Sequence, residues 1–318
     1  MAHRHGETNS PPFTLRQLEC FVAVAETGSI TAAAAVLHAS DSAVSDALAA
    51  MERTLGASLL HRRRAHGATL TSDGLTVLPI ARRMLVDAEE LSATIGSSSS
   101  LLAGPVRIGA TTTLAPLVIP RAIALAEERL PAVRVDEFTG EPPELFAMLD
   151  AGRLDLVVSF DIGVPPEYTR ERLASTEACI VVCADHRLAQ RSSAQLEEIA
   201  DEPMILLESI LSTVHTLELM SSRSITPRIT RRTSSYELCR SMVGRGLGYT
   251  LLLRRSIPSK TWDGSEVRFI SLDPPPRAVD VLLLRSAGAT STRVSALARL
   301  VAEVSRAAFE TGQRNSPE

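Results

Sequence analysis

Apolar residues recur at spacings of three and four through the first ninety positions, which is helical periodicity. Leu15, Leu18, Phe21, Val22 and Ala25 form one such stripe, closed by Thr27-Gly28. Ser29 can cap a second helix over 30–37, nearly all alanine, whose small side chains allow close helix packing. A short turn at His38-Ala39 leads to Ser40, a natural cap for a third helix over 41–55. That helix has Val44, Leu48 and Met51 on one face and Gly56 as its stop. The order is helix, short helix, tight turn, longer helix. It is the layout of a helix-turn-helix whose second helix enters the major groove. Spacing alone leaves an ordinary three-helix bundle open.

The next residues sharpen this reading. Ser58-Leu59-Leu60 and Ala68-Thr69-Leu70-Thr71 are short apolar runs flanking His61-Arg62-Arg63-Arg64-Ala65-His66-Gly67. This predicts a β-hairpin wing whose arginines reach phosphates or the minor groove beside the helix. A solvated charged loop is the plainer alternative. From Thr71-Ser72-Asp73-Gly74 a long helix is predicted to about residue 95, with Leu78, Ala81, Leu85, Ala88 and Leu91 spaced to pack on a partner helix. Pro79 either kinks it or sits in its early turns. The run Gly96-Ser97-Ser98-Ser99-Ser100 reads as a hinge.

Beyond Gly104 the pattern changes to alternating strands and helices. Strands are expected at 106–110, 133–138 and 155–158, with helices at 114–129 and 142–151 between them. That β-α-β-α-β order implies a parallel sheet. A second lobe follows from about residue 173, with segments at 179–183, 204–207, 213–220, 228–232, 236–243 and 248–252. The chain then returns through 279–284 to a final helix at 292–309. The fold class is α/β. The expected domains are a tail over 1–12, a winged helix-turn-helix over 13–71, a linker helix over 72–97, a hinge over 98–104, and an effector domain over 105–318. One lobe of that domain takes 105–172 and 270–318; the other takes 173–269.

In open α/β folds, ligands sit beyond the carboxyl ends of strands, near helix N-termini. Thr111, Thr112 and Thr113 occupy such a place, where one is expected to cap the helix and the amides and hydroxyls of the run to hold a carboxylate. Ser159 and Asp161, Glu208 and Ser209, and Thr233 and Ser234 follow other strands and are further candidates. If Asp161 and Glu208 face inward, the effector carries a positive or amino group; if they face solvent, that inference fails. Gly244-Arg245-Gly246-Leu247-Gly248 lies between helix and strand, the wrong order for phosphate capture, and reads as a tight turn.

Charge and composition narrow the function classes. The formal net charge is −4, so any DNA affinity must be local. Residues 11–70 hold five arginines and five acids, neutral before histidine is counted. No membrane span and no signal peptide are expected, which points to the cytoplasm. Cys20, Cys179, Cys183 and Cys239 read as small buried hydrophobes in a reducing compartment rather than a metal or redox set. No nucleophile elbow, P-loop or zinc-protease motif is present, so neither an enzyme nor a cofactor is expected. A solute carrier would account for the second half alone.

Residues 13–34, the run Leu37 to Ser45 and Leu70-Thr71-Ser72-Asp73-Gly74 resemble the LysR-type transcriptional regulators. The resemblance covers the whole chain in arrangement and is most specific over 13–91. It implies a two-lobed effector domain like a periplasmic binding protein, and dimers or tetramers that bind an inverted repeat in double-stranded promoter DNA. The expected DNA-contacting set is Thr31, Ser40, Asp41, Ser42, Ser45 and Arg53 with wing residues Arg62, Arg63 and Arg64. Where the family usually has glutamine after the capping serine, this chain has Asp41, and Asp46 follows in the same helix. Asp41 either accepts from a cytosine amino group or simply stabilises the helix N-terminus. Together the two acids either confer sequence preference or weaken DNA binding. The alternative function is a cytoplasmic solute-binding sensor with weak or lost DNA binding.

Overall fold

The computed structural model describes residues 12–63, 67–94, 102–253, 258–286 and 290–314. The expected tail up to residue 11, the wing tip with Arg64, and the expected hinge up to residue 101 lie outside the described residues. The chain divides into two compact units, Met1–Leu101 with Asp150–Arg153, and Leu102–Leu149 with Leu154–Glu318.

The first unit begins with helices α1 (Leu15–Thr27), α2 (Ile30–Val36) and α3 (Asp41–Leu55). Each starts at a side-chain cap: Thr14, Ser29 and Ser40 accept from Gln17, Ala32 and Ala43 amides. These bonds satisfy amides that the first helical turn leaves without intrahelical partners. Leu18, Phe21, Val24, Ala33, Ala34, Val44, Leu48 and Met51 meet in one buried core. The alanines of α2 are what let three short helices share it. Strands β1 (Leu60–Arg63) and β2 (Gly67–Leu70) pair antiparallel, Leu60 opposite Leu70 and Arg63 opposite Gly67.

Two glycine contacts seat this wing. The Ala68 amide donates to the Gly28 carbonyl at 2.7 Å, and a Cβ on Gly67 would overlap that same carbonyl. A Cβ on Gly74 would strike the Leu59 carbonyl. Gly74 opens α4 (Ser72–Thr94), which runs through Pro79 without a break. Thr71 ties the junction together: its hydroxyl donates to the Ser58 carbonyl at 2.7 Å and accepts from the Gly74 amide at 3.0 Å. Leu78 and Ala81 enter the core, while Leu75, Ile80 and Leu91 are exposed.

The second unit opens with β3 (Gly104–Thr111), α5 (Ala115–Arg129), β4 (Val133–Gly140), α6 (Pro142–Asp150), β5 (Leu156–Phe160) and β6 (Thr169–Thr176). It continues through β7 (Ala178–Cys183), β8 (Ser193–Ala194), β9 (Met204–Leu207), α7 (Ile210–Ser222), β10 (Ile229–Thr233), α8 (Tyr236–Gly244) and β11 (Thr250–Leu253). It closes with β12 (Val267–Leu272), β13 (Val279–Arg285) and α9 (Thr292–Arg314). The first lobe is a five-stranded sheet in the order β4-β3-β5-β13-β6. β3, β4 and β5 are parallel as expected, but β13 runs antiparallel to both β5 and β6, so the sheet is mixed. The second lobe holds a four-stranded sheet, β11-β7-β12-β8, and the parallel pair β9 and β10.

β6, β8 and β12 did not stand out in the sequence. β6 is mostly polar and exposed, Thr-Arg-Glu-Arg, and belongs to the first lobe. β6 and β12 place the crossings between lobes near residue 177 and after residue 272, a few positions beyond the expected 172 and 270. Apolar side chains of β3, β5 and β13 pack with α5 and α9 on one face of the first sheet, and α6 covers the other.

Candidate functional site

α3 presents its apolar stripe inward and a polar face outward. Asp41, Ser42, Asp46 and Arg53 are exposed and Ser45 is half-buried. Around the helix start, three side chains lock one another. Ser40 caps the Ala43 amide at 3.2 Å and lies 3.0 Å from the Ser42 hydroxyl. Thr31, on α2, donates to an Asp41 carboxylate oxygen at 2.5 Å. Asp41 therefore serves as a strut between the two helices of the motif and stands at the positive end of α3. Its second face remains open to solvent.

The acid count of this unit overstates the charge it shows outward. Glu52 turns in and accepts from the Leu59 and Leu60 amides at 2.8 and 3.2 Å, holding the start of the wing. Glu26 pairs with Arg82 of α4 at 3.0 Å, and Glu19 with Arg16 at 2.8 Å. Arg53 lies on the exposed polar face and Arg62 and Arg63 on the wing strand β1, while Arg64 is outside the described residues.

In the second unit a cavity lies between the lobes. Thr111, Thr112, Thr113, Glu141 and Phe160 line it from the first lobe, and Ser209, Leu211, His215 and Leu251 are among those lining it from the second. About 550 Å³ of space between atoms, part of it open solvent, lies within it, and about 20 Å³ of this can take the centre of a water molecule. That is room for one or two waters, so any larger guest requires the lobes to part. Two polar atoms in it have no hydrogen-bond partner: the Thr111 hydroxyl, on a side chain 3% exposed, and Nε2 of His215. Burial lowers the pKa of His215, with nearby Glu218 opposing, so its ring is neutral near pH 7. The N-cap of α5 is Leu114, which makes no side-chain cap, and the Thr111 hydroxyl is left without a partner in the cavity wall.

The other candidates divide. Ser209 lines the cavity and also caps α7, accepting from the Ser212 amide at 3.2 Å. Ser159 lies within β5, not after it, fully buried beside Val157 on the face away from Phe160, because strand side chains alternate. Asp161 is exposed, pairs with Arg170 at 3.4 Å and faces an open groove that shares Leu211, His215 and Leu219 with the cavity wall. Glu208 is exposed and 3.6 Å from Arg232. Thr233 ends β10 and accepts from the Ser235 amide at 3.2 Å; Ser235, not Ser234, caps α8. Ser159, Asp161, Glu208, Thr233 and Ser234 are absent from the cavity wall, and the inward-acid condition fails for both Asp161 and Glu208.

Sequence reasoning missed Glu141 and His215. Glu141 follows the carboxyl end of β4, as the threonines follow β3, so the strand-end rule reaches it once β4 is extended to Gly140. His215 stands in an otherwise apolar and hydroxyl-bearing stretch of α7, a weak signal by itself.

A winged helix-turn-helix joined in one chain to a two-lobed α/β domain with an enclosed polar cavity defines the class: a DNA-binding transcriptional regulator with an effector-binding domain. The chain belongs to the LysR family. Residues 15–75 match the bacterial regulatory helix-turn-helix protein model of the lysR family, and residues 99–306 match the LysR substrate binding domain. It is 25% identical over 298 residues to the hydrogen peroxide-inducible genes activator of Pectobacterium carotovorum, covering 93% of this chain and 98% of that one. Among solved structures it is similar to HinK, a LysR family transcriptional regulator from Pseudomonas aeruginosa, at 27% identity and TM-score 0.61, covering 92% and 98% of the two chains. It is also similar to the C-terminal domain of a probable LysR family regulator from Rhodococcus sp. RHA1, at 30% identity and TM-score 0.60, over 63% of this chain and 98% of that one.

Proposed function

We propose that this regulator reads promoter DNA through the exposed face of α3 and the wing, and that a small molecule held between the lobes modulates that binding. The observation that carries the second half is the pair of unpartnered buried polar atoms, Thr111 Oγ1 and His215 Nε2, in one interlobe cavity. Buried polar groups without partners cost free energy unless a ligand or water satisfies them. On the DNA side, we assign base-edge contact to Ser42 and Ser45 in the first turns of α3, DNA contact to the exposed Arg53 in its last turn, and the positioning of that helix to Thr31, Ser40 and Asp41. The wing arginines Arg62, Arg63 and Arg64 are assigned to phosphates. The exposed apolar residues Ile80 and Leu91 of α4 suit self-association into dimers, and paired dimers suit an inverted repeat. The protein acts in the cytoplasm and carries no catalytic activity in this reading. Among the described residues no single helix is long and apolar enough to cross a membrane.

The name of the Pectobacterium relative mentions hydrogen peroxide, an oxidant that reactive thiols can take up. Here no cysteine lines the cavity among the described residues. Cys239 is buried, which pushes its thiol up to about 11. A thiol so protonated is a poor nucleophile toward peroxide. Ligand binding is therefore the reading we adopt.

Binding to the chain's own upstream intergenic DNA, against random DNA across a salt series, tests the whole proposal. Selective, salt-sensitive binding is expected. Arg62→Ala is expected to weaken specific and random DNA alike, and Ser42→Ala to act mainly on the specific site. Equal losses on both DNAs for both variants would remove the assigned division of labour.

A further inference from the structure

We propose that the carboxylate of Glu141 already fills the anion position of the interlobe cavity, so that the effector is an uncharged or cationic hydrogen-bond donor on a small apolar body, and not an acid. This rests on the cavity being the effector site.

The anion position is the N-terminus of α7, a helix of 13 residues, where backbone amides and the helix dipole favour negative charge. Two of its first-turn amides are taken. The Ile210 amide donates to Glu141 Oε2 at 3.2 Å, and the Ser212 amide to the Ser209 hydroxyl at 3.2 Å. Glu141 belongs to the first lobe and Ile210 to the second, so the same bond ties the lobes together. An acidic effector seeking these amides would have to displace Glu141 or stand beside it.

The rest of the wall tells what the cavity does accept. Glu141 and His215 are its only ionisable residues among those described, and burial keeps His215 neutral. No lysine or arginine among the described lining residues would neutralise a second carboxylate. Thr111 Oγ1 and His215 Nε2 are buried and unpartnered, and both can accept a hydrogen bond. With Glu141 they offer a guest one carboxylate acceptor and two groups that can accept or donate. Leu211, Leu219, Leu251, Leu252 and Phe160 also line the cavity, a surface suited to an aliphatic or aromatic body.

Three probes of nearly one shape separate the possibilities: isobutyramide, isobutylammonium and isobutyrate, titrated calorimetrically into the full chain. The amide or the ammonium is expected to bind at least about tenfold more tightly than isobutyrate, a gap of roughly 1.4 kcal/mol. Glu141→Gln keeps an acceptor for the Ile210 amide and removes the charge. It is expected to narrow the gap between amide and carboxylate by about tenfold and to weaken the ammonium. Glu141→Ala frees the amide and is expected to admit isobutyrate. Ser212→Trp, which fills the cavity from α7, is expected to abolish binding of all three. If all three probes bind the wild type equally and Ser212→Trp abolishes them, the charge assignment is overturned and the cavity stands as a ligand site. If isobutyrate binds best, or Glu141→Gln leaves the ratio unchanged, the assignment is likewise overturned. Binding untouched by Ser212→Trp in a variant with wild-type Tm, or no binding by any form, overturns both the assignment and the cavity reading.

Discussion

The helix-turn-helix and the interlobe cavity solve opposite problems. In the first, nearly every buried polar group near the reading face finds a partner a few residues away. Ser40 caps Ala43, Glu52 holds Leu59 and Leu60, and Thr71 spans Ser58 and Gly74. In the second, groups far apart in the chain converge and two of them stay unsatisfied. The DNA unit is organised so that its surface is ready without a partner. The cavity is organised so that it is incomplete until something enters. Stability and responsiveness are thus placed in different parts of one chain.

The largest test of this contrast acts on the wing junction. Gly74→Ala puts a methyl group against the Leu59 carbonyl, a backbone atom that cannot rotate away. The cost is expected near 3 kcal/mol, at the upper end for overpacking. Scanning calorimetry of the full chain should show the DNA unit melting earlier while the effector unit keeps its transition. A common shift of both would mean that the two halves are not energetically separate. Ser40→Ala is smaller, about 1 kcal/mol for a lost helix cap, again confined to the first unit. A loss under a few tenths would show that the Ser42 hydroxyl, 3.0 Å away, takes over the cap.

The same argument reverses sign in the cavity. Thr111→Val removes a buried hydroxyl that has no partner and leaves the shape of the side chain. It is expected to stabilise the effector unit by about 1 kcal/mol while reducing its response to ligand. Destabilisation would show that Thr111 is satisfied in solution, by water or otherwise. His215 adds a pH signature. Its folded pKa lies below the ordinary histidine value, so the unfolded chain binds the proton more readily. Its stabilising contribution is present above pH ~6.5 and is lost as pH falls below that. His215→Gln should flatten the effector unit's Tm between pH 7 and 5, and an unchanged slope would place the titration elsewhere.

How far the sequence could be read follows from the same contrast. The caps Ser29 and Ser40, the stops Gly28 and Gly56, and the helix bounds Asp41–Leu55 were legible because each signal and its consequence lie within one turn. The threonine run and Ser209 were legible because they follow strands that read clearly. Ser159 failed because β5 runs to Phe160, two residues beyond its expected end, which buries the serine inside the sheet. Glu208 and Asp161 failed because a loop acid's facing is decided by neighbours far away in sequence, here Arg232 and Arg170. Glu141 was missed because β4 runs to Gly140, two residues beyond its expected end, and its partner is an amide sixty-nine residues on. β6 carries its polar residues at a sheet edge, where the alternation that identifies a strand is weak.

The smallest expected effect bears on the chain's departure from its family, the aspartate after the capping serine. Asp41 accepts from Thr31 at 2.5 Å and stands at the N-terminus of α3, so it has a structural role before any DNA arrives. Asp41→Asn keeps an acceptor for Thr31 and removes the charge. On an exposed helix end the stability change should be only a few tenths of a kcal/mol. For DNA the consequences diverge. If the carboxylate serves only as the strut, losing its charge near phosphates should strengthen binding to all sequences alike, most at low salt. If it accepts from a cytosine amino group, the variant should lose affinity for the specific site by about 1–3 kcal/mol and gain slightly on random DNA. The Thr31 bond holds one carboxylate oxygen and leaves the other free, so both roles can coexist. Thr31→Val separates them, since it loosens the strut and leaves the charge. If Thr31→Val lowers selectivity as much as Asp41→Asn does, the aspartate acts by placing the helix rather than by reading a base.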